Sequence, residues 1–269
     1  MDCAATAFEL RGRTFRVMRM DLNCDVGELP EALADGTQEA ILQQVTSANI
    51  ACGGHAGDEQ MMRVTIEQAQ RCGTAIGAHP GYEDRANFGR IELRLSSKEI
   101  AASVYRQVAA LAEVAERCGA RIGHVKPHGA LYNQAARDRG IARAIVDGVA
   151  RWRRDVTLVG LAGSAMLEEF RAAGFAVAAE GFADRNYEAD GSLRARKFRD
   201  ALLHDPAEAA AQAVRIAREG SVVAANGAVV PLKVETICIH GDTPGAPQIA
   251  AAVRRALEEA GITLRALGG

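Results

Sequence analysis

Apolar β-type runs alternate with longer amphipathic stretches along most of this 269-residue chain, and that rhythm restricts its fold more than any other feature. The extended runs cover residues 15–24, 47–52, 75–79, 121–126, 156–161, 175–180 and 234–240. Helical patterns lie between and after them at 38–45, 58–71, 98–118, 141–152, 165–173, 207–218 and 247–260. A β-then-α alternation predicts a parallel sheet with helices packed outside it. Seven units nearly exhaust the chain, so a closed or nearly closed α/β barrel of seven or eight strands is expected. No G-x-G-x-x-G follows any strand, which argues against a dinucleotide-binding sheet. Asp58, Ser96 with Ser97, and Asp205-Pro206 supply helix starts, and Gly73, Gly119, Gly174, Gly220 and Gly261 supply stops. The Asn226-Gly227 step between two apolar runs predicts a small antiparallel insertion with a two-residue hairpin before the last barrel strand.

The strands end in chemistry. Five of the six histidines, His55, His79, His124, His128 and His240, sit in short Gly- and Asp-punctuated segments that each close an apolar run. Such edges are where barrels and open α/β sheets present their sites, so the histidines are expected to converge. The sixth, His204, lies in an ordinary polar loop. On the first strand, a period of two sends Asp21, Asn23 and Asp25 to one side, with Glu28 following in the turn. Inward carboxylates must be hydrogen-bonded, paired or bound to a cation. Gly53-Gly54 before His55 leaves main-chain N–H groups free to face an oxyanion. Lys126, between His124 and His128, needs an anion at its buried strand end. Glu180 precedes Arg185, whose planar fork suits a substrate carboxylate, an alternative being a salt bridge to Asp184 or Glu188. Asp242 stands beside His240, where it can orient the imidazole or take a metal.

Composition narrows the function classes. Thirty-two basic and 34 acidic residues leave a formal charge of −2 with no basic run, and aromatic residues are 4% of the chain, which disfavours nucleic acid as a partner. No apolar stretch is long enough to span a bilayer. The six cysteines are scattered without a C-x-x-C pair, a pattern expected of reduced thiols in a cytoplasmic protein. Residues 1–19 mix arginines with Asp2 and Glu9 and make a poor signal peptide, so they are read as an N-terminal extension of one domain over 20–269, with Met20 as a candidate start. The chain has no P-loop, no G-x-S-x-G elbow and no H-E-x-x-H.

Six segments, DLNCDVGE (21–28), NIACGGHAGD (49–58), GAHPGY (77–82) with Asp84-Arg85 and Phe88-Gly89-Arg90, HVKPHGALYN (124–133), EGFADRNY (180–187) and ICIHGDTP (237–244), together resemble the LamB/YcsF family, associated with the A subunit of prokaryotic 5-oxoprolinase. The resemblance implies a seven-stranded β/α barrel, TIM-like and similar to that of the polysaccharide deacetylases. It also implies ATP-dependent opening of 5-oxoproline to glutamate with partner subunits B and C, ATP acting alone or with Mg²⁺. The expected site set is Asp21, Asn23, Asp25, Glu28, His55, His79, Lys126, His128, Glu180, Arg185, His240 and Asp242. Within it Asp25 and His55 are expected to activate water or bind metal, Lys126 and Arg185 to clamp anions, and His128 to act as general acid or base. If a divalent metal is bound, Asp25, His55 and His124 are its candidate ligands. Two other classes fit the same residues: a divalent-metal deacetylase or amidohydrolase, and a non-catalytic subunit that binds a small acid.

Overall fold

The computed structural model describes residues 7–10, 13–16 and 18–267. The expected extension over 1–19 lies partly outside the described residues; within it, the backbones of Ala7–Leu10 and Arg13–Arg16 pair antiparallel, and Met18 and Arg19 belong to the first barrel strand. Seven parallel strands close into a barrel: β1 (Met18–Val26), β2 (Ser47–Ala51), β3 (Ala75–His79), β4 (Ile122–Val125), β5 (Thr157–Leu161), β6 (Ala176–Phe182) and β7 (Thr236–His240). Each pairs with the next in chain order, and β7 closes the ring on β1 with Thr236 opposite Asp21 and His240 opposite Asp25. A three-residue strand, Ile262–Leu264, adds to the amino end of β1, outside the ring.

Among the described residues, nine helices lie on the outside: α1 (Pro30–Ala34), α2 (Thr37–Leu42), α3 (Glu59–Cys72), α4 (Ser97–Arg117), α5 (Gly129–Arg137), α6 (Arg139–Trp152), α7 (Ala165–Ala172), α8 (Pro206–Glu219) and α9 (Ala246–Glu259). The expected starts hold. The Asp58 carboxylate accepts from Met61 N, Ser96 and Glu99 form a reciprocal capping box, and Asp205 accepts from Ala207 N beside Pro206. Gly73 ends α3 and Gly220 ends α8 in the left-handed conformation that glycine adopts without a Cβ clash. Outward side chains of the strands, such as Leu22, Cys24 and Val26 on β1, pack beneath the helices with Ile66, Leu111, Ile145 and Val253. Leu111 is wholly buried, worth about 1.5–3 kcal/mol relative to exposure.

The insertion departs from expectation in its turn. Val223 pairs with Val229, so five residues separate Ser221–Val223 from Val229–Pro231. Gly227 N donates to Ala224 O, and Gly227 has φ +86°, a type I turn followed by a bulge rather than a two-residue turn. Elsewhere the strands and helices match the sequence reading to within a few residues, while α1, α5 and Ile262–Leu264 are additional.

The barrel interior is polar where most β/α barrels stack branched aliphatics. Even-numbered residues of β4, β6 and β7 and odd-numbered residues of β1, β2 and β3 face inward, so Asp21, Asn23, Asp25, Asn49, His124 and Glu180 line the ring beneath its carboxyl-end mouth.

Candidate active site

The lowest inward group is Asp21. Its Oδ1 accepts from Thr46 Oγ1 (2.7 Å) and Ser47 Oγ (2.6 Å), and Oδ2 accepts from Thr236 Oγ1. Burial raises its pKa against these bonds. One layer up, Asn23 donates to Thr236 Oγ1 and Glu180 Oε1, and Asn49 donates to Asn23 Oδ1 (2.7 Å) and Asp25 Oδ1 (2.8 Å). His124 Nε2 bonds Asn49 Oδ1 at 2.9 Å, and burial beside Lys126 lowers its pKa to about 3, so the ring is neutral and donates there.

Lys126 crosses the top of this network. Its Nζ lies 2.9 Å from Asp25 Oδ1 and 2.9 Å from Glu180 Oε1, and donates to Cys238 Sγ at 3.0 Å. Tyr132 OH donates to the other Glu180 oxygen at 2.8 Å. Burial alone would strip the ammonium of its proton, but Asp25, Cys238 and Glu180 outweigh it and hold the pKa well above the lysine range. Burial likewise opposes ionisation of Asp25, and His79 with Lys126 overturns it, leaving that carboxyl well below its usual range. The chain itself therefore supplies anions to Lys126, which also borders the cavity.

Four side chains from the ends of β1 to β4 then converge. Glu28 Oε1 lies 2.9 Å from His55 Nε2, 3.3 Å from His128 Nδ1 and 3.9 Å from His79 Nε2. His79 Nδ1 bonds Lys126 O (2.8 Å) and His128 Nε2 bonds Phe88 O (2.9 Å). Carbonyl oxygens only accept, so each of those nitrogens carries a proton. His79 Nε2 and His128 Nδ1, 2.9 Å apart, then face one another as two lone pairs unless a cation lies between them. In metal-free protein that cation is a proton on His79. Burial lowers its pKa, but Asp25, with Oδ2 3.3 Å from Nε2, outweighs this and raises it. Burial and the neighbouring His55 push His128 well below the usual range.

The same atoms suit a metal ion. The candidate ligand atoms of Glu28, His55, His79 and His128 lie within 4.8 Å of one another. Ligands about 2.0–2.1 Å from a tetrahedral ion stand roughly 3.4 Å apart, and the separations of 2.9, 3.3 and 3.9 Å among Glu28, His79 and His128 bracket that spacing. Both imidazoles are already oriented by carbonyls on their far nitrogens, as metal-binding histidines usually are. His55 does not join them as placed. Its ring stacks on His128 at 3.6 Å and 4°, so an ion in the plane of one ring is displaced from the plane of the other. The candidate cluster is Glu28, His55, His79 and His128, with Glu28, His79 and His128 the three whose geometry suits one ion; of the expected ligands Asp25, His55 and His124, it contains His55.

The opposite half of the mouth, from β5 to β7, is different. His240 Nδ1 lies 3.0 Å from Asp184 Oδ1, and the same carboxylate accepts from His240 N and Thr243 Oγ1. Burial raises the Asp184 pKa, but His240 more than reverses it, so Asp184 stays ionised and fixes the Nδ1–H tautomer, leaving Nε2 as a base. Arg185 is buried, donates to Ala201 O and Arg194 O, and forms no ion pair among the described residues; burial and Arg196 lower its pKa to about 10. Asp242 pairs with Arg90 and, at 3.9 Å, Arg196. A cavity of about 620 Å³ opens between the halves, reaching Asp25, His79, Lys126, His128, Arg185 and His240.

A comparison with known proteins places this arrangement. The sequence profile described as the LamB/YcsF family matches residues 20–269. The chain belongs to the LamB/YcsF family. Relatives named as the A subunit of 5-oxoprolinase include one from Chloroflexus aggregans, 52% identical across 93% of this chain and 99% of its own length. Another, from Methylococcus capsulatus, is 48% identical across 93% and 96%. A crystal structure described as a lactam utilization protein from Thermus thermophilus superposes with a TM-score of 0.86 at 43% identity, covering 93% of this chain and all of that one.

In this LamB/YcsF chain the strand-end residues do converge, but in two tiers. Asp25, His79, Lys126, His128, Arg185 and His240 reach the cavity, whereas Asp21, Asn23, His124 and Glu180 hold the floor and Glu28 and His55 stand behind His128. Arg185 makes neither salt bridge open to it, since Glu188 pairs with Arg194. Asp184, rather than Asp242, orients His240. Asp184, Asn49 and Tyr132 make contacts that pattern reading did not assign, although each stands within a motif segment; Asn49 also shares its inward parity with Ser47 on β2.

Proposed function

We propose that this chain is the A subunit of a 5-oxoprolinase, opening the lactam of 5-oxoproline to glutamate in an ATP-dependent, cytoplasmic reaction with subunits B and C. Residues 20–269 are proposed as the working domain, with 1–19 an extension of the chain ahead of it. The relatives so named, about half identical across nearly their whole lengths, support the substrate. The observation that carries the chemistry is one cavity with the Asp184-oriented His240 on one wall and the His79–His128 pair over Asp25 on the other.

A γ-lactam carbonyl is a weak electrophile, and phosphorylating its oxygen with ATP makes attack by water feasible. His240 Nε2 takes a proton as the water oxygen bonds to the carbonyl carbon. The C–N bond then breaks, the ring nitrogen accepting a proton from the imidazolium shared by His79 and His128. The phosphoryl group remains on the new carboxyl, and its hydrolysis completes glutamate. A divalent ion held by Glu28, His79 and His128 would take the place of the proton shared by the two imidazoles and supply Lewis acidity at this wall instead. Free cysteines throughout the described residues agree with a reducing compartment, and no helix among them is long and apolar enough to cross a membrane.

Purified A, B and C with 5-oxoproline and ATP are expected to yield glutamate and ADP, and glutamate formation is expected to stop when A is omitted. Undiminished glutamate without A contradicts the reading. The Glu28, His79 and His128 set favours a second reading, a metal-dependent deacetylase; acetate release from an acetylated amide, without ATP and abolished by chelator, would support that one instead.

A further inference from the structure

Beyond the imidazole wall, the cavity has a second wall where β5 leads into α7. β5 ends at Leu161, and the turn Ala162-Gly163-Ser164 leads directly into α7, whose first residue, Ala165, borders the cavity with that turn. The first-turn N–H groups of a helix lack intrahelical acceptors and carry the positive end of its dipole. Ser164 is the N-cap residue, yet its side chain caps nothing. Its Oγ is buried with no hydrogen-bond partner, and the residue is only 8% exposed. A hydroxyl so placed leaves a buried donor and acceptor unsatisfied.

The adjacent strand supplies charge. Arg185 follows β6, the neighbour of β5, and it is a buried cation (4% exposed) with no carboxylate partner among the described residues. Its bonds to Ala201 O and Arg194 O hold the guanidinium in place without neutralising it. Arg196 stands on the same wall, 3.9 Å from Asp242; burial first, and Arg196 second, lower the Arg185 pKa. Two arginines, a partnerless serine hydroxyl and a helix N-terminus on one side of a cavity all call for a multiply charged acceptor with several oxygens. The cavity, at about 620 Å³, is also much larger than a five-membered lactam with one carboxylate requires.

We propose that this wall, formed by Ser164, the start of α7, Arg185 and Arg196, is a phosphoryl-binding subsite facing the imidazole wall. The phosphoryl group reaches it from one of two sources: a small acyl phosphate derived from the substrate, or the terminal phosphate of a nucleotide. Only the choice between sources rests on the function proposed above; phosphate binding by the isolated full chain tests the subsite without any turnover.

The probes are inorganic phosphate, acetyl phosphate and ADP, titrated calorimetrically into wild type, Ser164→Ala, Arg185→Met and a distant control, Arg255→Met. Phosphate is expected to bind wild type and the control equally, about 3- to 10-fold more weakly to Ser164→Ala and at least tenfold more weakly to Arg185→Met. Acetyl phosphate competing with phosphate identifies the small-acid source, and ADP competing instead identifies the nucleotide source. No phosphate binding to folded wild type at tens of millimolar, or unchanged affinity in Ser164→Ala, overturns the subsite even if Arg185→Met fails to fold. A complex that makes glutamate while phosphate fails to bind sinks the subsite alone; phosphate binding without glutamate formation sinks the lactam reading alone.

Discussion

At the scale of single residues, the site is organised by where protons and charges must lie. Lys126 pairs with both Asp25 and Glu180, and removing one member of a buried ionic group costs about 3–5 kcal/mol because its partners are left uncompensated. Lys126→Met is therefore expected to lower unfolding stability by about that amount in urea titrations, and a loss under about 1 kcal/mol would contradict the network. The His79–His128 pair makes a sharper claim. In chelator-treated protein at pH 7, imidazole ¹⁵N spectra are expected to show both His79 nitrogens protonated and His128 protonated on Nε2 alone; a neutral His79 contradicts it. The pH dependence follows from the directions of the shifts. His79 has a raised folded pKa, so its stabilisation is complete below the unfolded imidazole value of about 6.5 and is lost as pH rises through the higher folded value. Asp25 has a lowered one, so its stabilisation is present above the ordinary carboxylate range and is lost as pH falls through the folded value. Between those limits the contributions of both groups are retained.

At the scale of elements, close approach between strands sets the polar interior. A Cβ on Gly77 of β3 would overlap the His124 imidazole, whereas one on Gly123 of β4 would come no nearer than 3.9 Å to any atom, Ile76 O. Gly77→Ala is expected to destabilise by about 1–3 kcal/mol, as overpacking does, and Gly123→Ala by far less; thermal melts giving the two equal shifts would contradict the packing. The strands were legible in the sequence because their apolar runs end in glycine with histidine or aspartate, and the parity of Asp21, Asn23 and Asp25 was legible because side chains alternate. Helix α5 was hidden because it begins at Gly129, directly after a motif histidine that offers no side-chain cap. Asp184 as the partner of His240 was equally hidden. The two lie 56 residues apart, and only the pairing of β6 with β7 brings them together. The internal counterion of Lys126 comes from β1 and β6, so the sequence stated the need for an anion without saying that the chain meets it.

At the scale of the whole molecule, ring closure of β7 on β1 joins two chemically different halves into one mouth. Strands β1 to β4 bring carboxylate and imidazoles, and β5 to β7 bring the oriented His240, the arginines and the α7 N-terminus. On the proposed function, a lactam held between them would meet His240 on one side and the His79–His128 pair on the other, as ring opening by water needs. The most direct measurement is glutamate formation from 5-oxoproline and ATP by the complex assembled with His240→Gln in this chain. A folded variant is expected to lose activity on the order of 10²–10⁴-fold while still assembling with B and C. Activity within about threefold of wild type, well short of the general-base effect, would show that this mouth does not perform the chemistry.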